Sequence, residues 1–321
     1  MGLRFSKVLI MTTHYAIVFP GQGSQSIGML SDIADRYPEV KNTFAEAADV
    51  LHYDLWKLIQ EGPAEKLDTT TYTQPALLAS SYAIWRILKA NFSLQPAFLA
   101  GHSLGEYTAL LCADALNYAD ALQLVAARGQ FMQEAVQPGV GAMAAILGLD
   151  DNEVKVICEE TKQADEVLSP ANYNSIGQVV IAGHKEAVTR AMALAKEKGA
   201  KLCVLIPVSV PSHCELMQPA AERLSPLLHQ IAWKKPTLPV INNADVLAYE
   251  TIDSICDGLT RQLTSPVRWV ETIQAFSAAG IQQIIECGPG KILTGVNKRI
   301  NKNLQLLATF DLTNLETLNV L

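Results

Sequence analysis

One stretch, from Pro96 to Leu116, constrains the fold more than any other part of this 321-residue chain. A short apolar run after the proline is typical of a buried strand end. The segment after Gly105 has no proline or glycine through Leu116 and is rich in alanine and leucine, which predicts a helix. Between them lies the pattern G-x-S-x-G, whose glycines permit a sharp strand-to-helix turn that raises the Ser103 hydroxyl above a sheet. The sequence therefore predicts a serine nucleophile in an α/β protein.

The competing interpretation of this pattern is an ordinary turn with a solvated serine. With glycine and serine each near ~7% of residues, a chain of this length shows such a pattern by chance in roughly one case in ten. The predicted strand before the turn and the predicted helix after it are the context in which the pattern marks a nucleophile. This context favours the catalytic interpretation of Ser103.

The overall composition excludes several classes of function. The chain carries 25 Lys and Arg against 32 Asp and Glu, a formal net charge of −7, so no global positive charge favours nucleic-acid binding. No apolar run approaches the ~20 residues that span a membrane. The six cysteines show no C-x-x-C and no metal-ligand spacing with histidine, which indicates buried reduced thiols in a cytoplasmic protein.

The middle of the chain predicts a separate small subdomain over residues 140–208. Its pattern is strand, helix, strand, strand, helix, strand, and this βαββαβ order is typical of a ferredoxin-like arrangement. We therefore expect residues 12–139 and 209–310 to form one large α/β domain into which the subdomain is inserted. Residues 1–11 and 311–321 are expected to be poorly ordered ends.

A glycine-rich turn follows the first predicted strand, Tyr15 to Phe19, and has the sequence Pro-Gly-Gln-Gly-Ser-Gln. Its glycines would leave backbone N–H groups free to point into a site, as in an oxyanion or phosphate loop. The alternative is a plain strand-exit turn, and the local sequence does not separate the two. The turn is not a Walker A loop, because no G-K-[ST] follows.

Arg128 is an unusual residue in its predicted helix. Its neighbours one helical turn away on either side are apolar, and no carboxylate lies within that distance: Leu124, Val125, Phe131 and Met132. A guanidinium in such a place is costly unless it meets an anion. The sequence predicts either a site that binds the carboxylate of a ligand or a long-range structural ion pair.

Polar residues also lie where other predicted elements end. His213 follows a strand and precedes a helix, which is the best position among the six histidines for a general base; the alternative is a histidine that caps its helix. His102 is next to Ser103, but its ring would point away at the turn, so we assign it to packing or orientation. Gln262 lies at the inner end of a helix, where the alternative is a solvated or backbone-bonded glutamine.

These residues, taken together, resemble the family of malonyl-CoA:acyl carrier protein transacylases, from about Tyr15 to about Arg299. The motifs that match in order are Phe19-Pro-Gly-Gln-Gly-Ser-Gln25, Gly101-His-Ser-Leu-Gly-Glu-Tyr107, Arg128-Gly-x-Phe-Met-Gln133, Pro211-Ser-His213 and Glu286-x-Gly-Pro-Gly290. The resemblance implies an α/β-hydrolase-like large domain with an inserted ferredoxin-like (βαββαβ) subdomain. It also implies ping-pong transfer of malonyl from coenzyme A to the phosphopantetheine thiol of acyl carrier protein, which supplies fatty acid synthesis.

The resemblance also implies a role for individual residues. They are the nucleophile Ser103, its base His213, the oxyanion-hole N–H groups of Gln22 and Leu104, the carboxylate clamp Arg128, and Gln262, whose main-chain carbonyl would orient the histidine. It implies malonyl-CoA and acyl carrier protein as partners, a coenzyme A thioester as substrate, and no metal or redox cofactor. We expect a cytoplasmic monomer that binds neither nucleic acid nor a membrane.

Three other functions compete with this one. The same chemistry with another acyl group, such as methylmalonyl, stays open because Ser212 beside the base is small. A serine thioesterase or other hydrolase would share the nucleophile turn, but a hydrolase of neutral esters has no use for Arg128. A non-catalytic carrier-binding protein would not need an intact Ser103 and His213.

A local basic patch is a further expectation, since acyl carrier proteins are acidic and this chain is acidic as well. Net charge cannot supply long-range attraction, so the attraction must be local. The residues expected to form the patch are Lys185, Lys196, Lys198, Lys201, Lys298 and Arg299.

Overall fold

A computed structural model describes residues 14–208 and 210–318 of the chain. The strands, in chain order, are β1 (Tyr15–Phe19), β2 (Phe98–Gly101), β3 (Gly141–Leu147), β4 (Leu168–Ser175), β5 (Gln178–His184), β6 (Leu202–Leu205), β7 (Val240–Ile241), β8 (Gln283–Glu286) and β9 (Gln305–Ala308).

Helices surround these strands, with a short 3-10 helix at Glu215–Met217. The α-helices are α1 (Ser31–Arg36), α2 (Pro38–Leu51), α3 (Leu55–Glu61), α4 (Ala64–Leu67), α5 (Thr70–Asn91), α6 (Leu104–Cys112), α7 (Tyr118–Glu134), α8 (Asp151–Thr161), α9 (Lys185–Glu197), α10 (Gln218–Leu228), α11 (Ile252–Gln262), α12 (Trp269–Ala278), α13 (Ile292–Ile300) and α14 (Leu312–Thr317).

The larger sheet is parallel and has the strand order β7-β2-β1-β8-β9. Its central strand β1 is apolar along its whole length and fully buried. Side chains alternate across a strand, so Tyr15, Ile17 and Phe19 enter one core with α5 and α7, while Ala16 and Val18 enter another with α12 and α13. Helices on both faces explain why β1 is continuously hydrophobic rather than alternating.

The smaller sheet is antiparallel and has the order β4-β5-β3-β6. Its elements follow the predicted sequence of strand, helix, strand, strand, helix, strand, from Gly141 to Leu205. Ile146 and Ile181 on one face pack with α8 and α9 into a separate apolar core. Met143 on the other face packs with Cys214, in the segment that leads the chain back to the larger sheet. The proposed boundaries at 140 and 208 stay a prediction.

Hydrogen bonds join the smaller sheet to the segment between α11 and α12 and to α13 of the larger region. The N–H of Tyr173 donates to the carbonyl of Val267 at 3.0 Å, and the N–H of Val267 donates to the carbonyl of Ala171 at 2.9 Å. Arg299 Nη1 also donates to Gln178 Oε1 at 2.6 Å. These contacts fix β4 against the larger region and bring its polar side chains to the serine turn.

The expectation of a poorly ordered end from residue 311 is wrong for residues 311–318. Asp311 accepts a hydrogen bond from the N–H of Asn314 at 2.7 Å, which caps α14, and Leu315 is buried in the main core. Three leucines in an otherwise polar stretch, Leu312, Leu315 and Leu318, were too weak a sequence signal to predict this helix. Residues 1–11 and 319–321 lie outside the described residues.

Candidate active site

Ser103 lies in the turn between β2 and α6, as the sequence predicts. Its backbone angles, φ 52° and ψ −107°, are strained for a residue with a side chain. A Cβ on Gly101 would lie 1.8 Å from the carbonyl carbon of Gly105, and a Cβ on Gly105 would lie 2.1 Å from the carbonyl oxygen of Phe19. Both glycines are therefore required by the close contact between the turn, the helix and the end of β1.

His213 and Gln262 complete a hydrogen-bonded chain to the serine. The Nε2 atom of His213 lies 2.8 Å from Ser103 Oγ, and its Nδ1 lies 2.8 Å from the main-chain carbonyl of Gln262. Because a carbonyl only accepts, Nδ1 carries the proton and Nε2 is free to accept from the serine hydroxyl. Burial, and next the charge of Arg128, lower the pKa of His213 to about 3. The ring is thus neutral near pH 7, the state that a general base needs.

Arg128 is buried, with 1% of its surface exposed, and reaches the same serine. Its Nη2 donates to Ser103 Oγ at 3.2 Å and to Gln262 Oε1 at 2.9 Å, while Nη1 donates to Gln74 Oε1 at 2.9 Å. Its guanidinium also lies over the Tyr107 ring, 5.2 Å from the centroid. Within residues 14–208 and 210–318 it forms no salt bridge, so the alternative of a structural ion pair finds no support.

The sequence did not predict a role for Gln74. Gln74 and the following Pro75 lie in the interior of α5, which begins at Thr70. Gln74 is 1% exposed, and its amide contacts Arg128 through Oε1 and the Met132 sulfur through Nε2 at 3.4 Å. A glutamine buried beside a buried arginine becomes recognisable only when the two helices are placed together.

The segments proposed for the oxyanion hole flank the serine turn. Leu104 is the first residue of α6, where an N–H group has no acceptor within the helix. Gly21, which precedes Gln22, packs so closely on the turn that a Cβ there would lie 2.5 Å from the carbonyl oxygen of His102. Gln25 Oε1 accepts from the N–H of Gly23 at 2.8 Å and holds the loop in shape. The oxyanion role of Gln22 and Leu104 stays a prediction.

Two asparagines that the sequence analysis missed hold the turn from either side. Asn243, after β7, accepts from the N–H of Ser103 at 2.7 Å and donates to the carbonyl of Gly101 at 2.7 Å. Asn174, on β4, lies with its Oδ1 2.8 Å from Nε2 of His102, whose ring is 5.5 Å from that of Trp269. The His102 ring thus contacts the small sheet and Trp269, in agreement with its assignment to packing or orientation.

In the described part of the chain, no group of three His, Cys, Asp or Glu residues is placed to hold a metal ion. The six cysteines are buried free thiols. Among the described residues, none of the helices has the length and apolar character to traverse a bilayer.

Comparison with known proteins places this site in a family. The acyl transferase domain family matches residues 16–309, which is most of the chain. The chain belongs to the acyl transferase family. Among acyl transferases it is 54% identical over 288 residues to the malonyl CoA-acyl carrier protein transacylase of Salmonella typhimurium, covering 90% of this chain and 93% of that protein. It is 55% identical, with the same coverage, to the malonyl CoA-acyl carrier protein transacylase of Escherichia coli K12.

Solved acyl transferase structures agree with the sequence match. An acyl carrier protein S-malonyltransferase from Vibrio cholerae superposes with a TM-score of 0.93 at 54% identity, covering 95% of this chain and 99% of that one. A malonyl-transacylase solved in complex with a type II PKS acyl-carrier protein superposes with a TM-score of 0.93 at 50% identity, covering 95% of this chain and 98% of that one. The α/β architecture with a parallel and a separate antiparallel sheet is therefore that of this family.

Proposed function

We propose that this acyl transferase moves malonyl from coenzyme A to the phosphopantetheine thiol of acyl carrier protein through an acyl-serine at Ser103. The names of its relatives, and the relative solved with an acyl-carrier protein, support this substrate pair. One observation carries the chemistry. Ser103, His213 and Gln262 are connected by consecutive hydrogen bonds, and the buried Arg128 donates to the same serine oxygen. A nucleophile, a neutral base and a cation suited to the free carboxylate of malonyl meet at one atom.

In the first half-reaction, Ser103 attacks the thioester carbonyl as Nε2 of His213 takes the hydroxyl proton. The carbonyl oxygen becomes an oxyanion, for which the N–H groups of Gln22 and Leu104 are the proposed donors, at roughly 3–4 kcal/mol each. The intermediate collapses with cleavage of the carbon–sulfur bond, and His213 returns the proton to the departing thiolate. The product is a malonyl ester of Ser103.

In the second half-reaction, the carrier's thiol is the nucleophile. His213 accepts the thiol proton, the sulfur attacks the ester carbonyl, and the proton passes to Ser103 Oγ as the ester bond breaks. Throughout, Arg128 would bind the free carboxylate of the malonyl group, because a guanidinium matches a planar carboxylate with two parallel hydrogen bonds. The amide oxygens of Gln74 and Gln262 occupy these donors in the free protein.

We infer a finer description of the fold on the same basis. The parallel sheet with a nucleophile turn directly after β2 supports an α/β-hydrolase-like large domain. The order β4-β5-β3-β6 with both helices on one face supports a ferredoxin-like insert. We propose that the protein acts as a cytoplasmic monomer and uses no metal or redox cofactor.

The test of this function is the intact mass of the protein after exposure to malonyl-CoA, acetyl-CoA and methylmalonyl-CoA in separate reactions. We expect a stable malonyl adduct on the wild type, its discharge on addition of acyl carrier protein, and no adduct on Ser103→Ala. Release of free malonate without carrier would indicate a hydrolase. Labelling that persists in Ser103→Ala would exclude this serine as the nucleophile, and preferential methylmalonyl uptake would change the substrate.

A further inference from the structure

A buried carboxylate that the proposed mechanism does not use lies directly beneath the nucleophile. Glu106, in the first turn of α6, has no exposed surface. Its Oε2 accepts from the N–H of Asn243 at 3.1 Å and from Nε2 of Gln262 at 2.7 Å, and its Oε1 accepts from the hydroxyl of Tyr249. The three partners come from the segment after β7 and from α11, so one side chain connects distant parts of the site.

These contacts fit an ionised carboxylate. An ionised carboxylate only accepts hydrogen bonds, and all three neighbours of Glu106 are placed as donors. Burial raises the pKa of Glu106 to about 7, and the bonds from Tyr249, Gln262 and Asn243 oppose that rise. Near pH 8 the group is therefore mostly a buried anion, and a buried anion requires a cation nearby.

Gln262 links this anion to Arg128. Its Nε2 donates to Glu106 at 2.7 Å and to the carbonyl of Ser103 at 3.0 Å, while its Oε1 accepts from Arg128 at 2.9 Å. The opposite orientation of the amide would place its oxygen against two acceptors and its NH₂ against a guanidinium. The amide thus has one satisfied orientation, and the main-chain carbonyl of the same residue holds His213.

We propose that Glu106 is the internal counter-ion of Arg128, relayed through Gln262, and that it sets how strongly the site prefers an acyl group with a free carboxylate. The proposal rests on the proposed function. In the free protein the anion compensates a buried guanidinium that has no direct ion pair. When a carboxylated acyl group enters, the same anion opposes it, whereas a neutral acetyl group is not opposed. Glu106 is a positioning residue, because it acts through Gln262 and Asn243.

The decisive variant is Glu106→Gln, which removes the charge and keeps the hydrogen bonds. Its amide oxygen can accept from Asn243 and Gln262, and its NH₂ can donate to the Tyr249 hydroxyl. The measurement is serine acylation near pH 8, as the ratio of kcat/KM for malonyl-CoA to kcat/KM for acetyl-CoA. We expect this ratio to rise by about tenfold, because the variant removes one buried charge that is separated from Arg128 by a single glutamine side chain. An unchanged or lower ratio, or an equal loss with both substrates, would overturn the proposal.

Tyr249→Phe is the matched control for a merely structural role. It removes one hydrogen bond that opposes the rise of the Glu106 pKa, so this control is measured with the wild type and Glu106→Gln near pH 9.5, where the carboxylate keeps its charge. We expect both acylation rates to change together, so that the malonyl-to-acetyl ratio stays within about twofold. A ratio that changes in Tyr249→Phe as much as in Glu106→Gln would show that packing, and not charge, controls the preference.

A measurement on the wild type keeps the proposal testable should Glu106→Gln fail to fold. Lowering the pH from about 8 to about 6 protonates Glu106 and removes the same charge. The other titratable groups that face it keep their protonation state over this interval: the pKa of Tyr107 is raised to about 12, that of Tyr249 is raised well above 10.0 and that of His213 is lowered to about 3, while Arg128 and Arg261 stay protonated. The phosphates of coenzyme A are common to both substrates.

We expect the wild-type malonyl-to-acetyl ratio to rise toward pH 6 and, if the variant folds, the ratio of Glu106→Gln to be independent of pH. A wild-type ratio without pH dependence would refute the counter-ion role. Failure of the proposed function is distinguishable from this outcome, because it would show as the absence of any malonyl adduct on the wild type.

Discussion

The parallel and antiparallel regions meet at the serine turn but contribute to it in different ways. The parallel region supplies His213, Arg128 and Asn243, each of which hydrogen-bonds to Ser103. The antiparallel region reaches the turn through Asn174, whose Oδ1 hydrogen-bonds to His102, the residue before the serine. The parallel region therefore positions the reacting serine, whereas the antiparallel region holds the residue beside it.

The two regions also differ in what they bury. Around the turn, the parallel region buries polar and charged side chains whose stability depends on complete hydrogen bonding, such as Glu106, Arg128 and Gln262. The small sheet buries an almost wholly apolar core and leaves apolar side chains of its edge strand β6 exposed, with Leu202 50% and Val204 46% exposed. Substitutions around the turn should therefore act on chemistry, and those on the exposed surface should act on docking.

Arg128→Ala should give the largest effect and tests whether the parallel region reads the acyl group. The free carboxylate of malonyl loses its partner, at a cost of several kcal/mol, and each ~1.4 kcal/mol is tenfold in rate. We expect malonyl acylation to fall by orders of magnitude while acetyl acylation holds or improves, measured by stopped-flow or intact mass. Arg128→Lys should be intermediate, because the charge remains without the planar fork. An equal fall with both substrates would make Arg128 structural.

Asn243→Ala and Asn174→Ala form a matched pair across the two regions. Asn243→Ala removes two buried hydrogen bonds from the strained turn, each worth about 1–3 kcal/mol when its partner is left unpaired, so kcat/KM should fall about 100-fold. Asn174→Ala removes one contact to His102, and we expect a loss within about fivefold. Similar losses of kcat/KM in both variants would contradict the different contributions of the two regions to the serine turn.

The pH dependence of acylation checks the environment that the parallel region gives His213. With the pKa lowered to about 3, the ring stays neutral as pH falls, so acylation by acetyl-CoA, which the Glu106 charge does not oppose, should keep its rate at pH 5. A histidine with an ordinary pKa near 6.5 would be only about 3% neutral there and would lose rate about 30-fold. Because the charge of Arg128 contributes to the lowering, Arg128→Ala should move the acid limb upward. An acid limb with an apparent pKa near 6.5 in the pH–rate profile of the wild type would show that water reaches the ring.

The smallest effect is expected on the exposed surface. All six residues of the predicted basic patch are exposed, but Lys198 is paired with Glu160 at 2.8 Å and Arg299 donates to Gln178. We choose Lys201 and Lys298 as test positions, because the first follows the small sheet's α9 and the second lies on α13, one in each region. Reversing both to Glu should raise KM for the carrier protein several-fold and leave KM for malonyl-CoA unchanged. The difference should shrink with salt, since exposed charges act within about 10 Å at 0.1 M. Parallel changes in both constants would place the patch elsewhere.

Sequence alone predicted the parts of the site whose signal is local. The glycines on either side of Ser103 predict the serine turn, and the apolar residues one helical turn away make Arg128 conspicuous. Gln74, Asn174 and Asn243 were missed because their partners lie 54, 72 and 140 positions away along the chain. For such residues the local pattern is that of an ordinary polar side chain, and only the packing of distant elements shows the contact.

The position of β1 has a consequence for the synthesis of the protein. This strand is made first, yet it lies at the centre of its sheet, between β2 and the late strand β8. Until residues 283–286 leave the ribosome, one edge of a continuously hydrophobic strand has no partner. Unpaired apolar edges are prone to aggregate, and translation proceeds at about 5–20 residues per second. The nascent chain therefore depends on protection of β1 while the residues between β1 and β8 are synthesised.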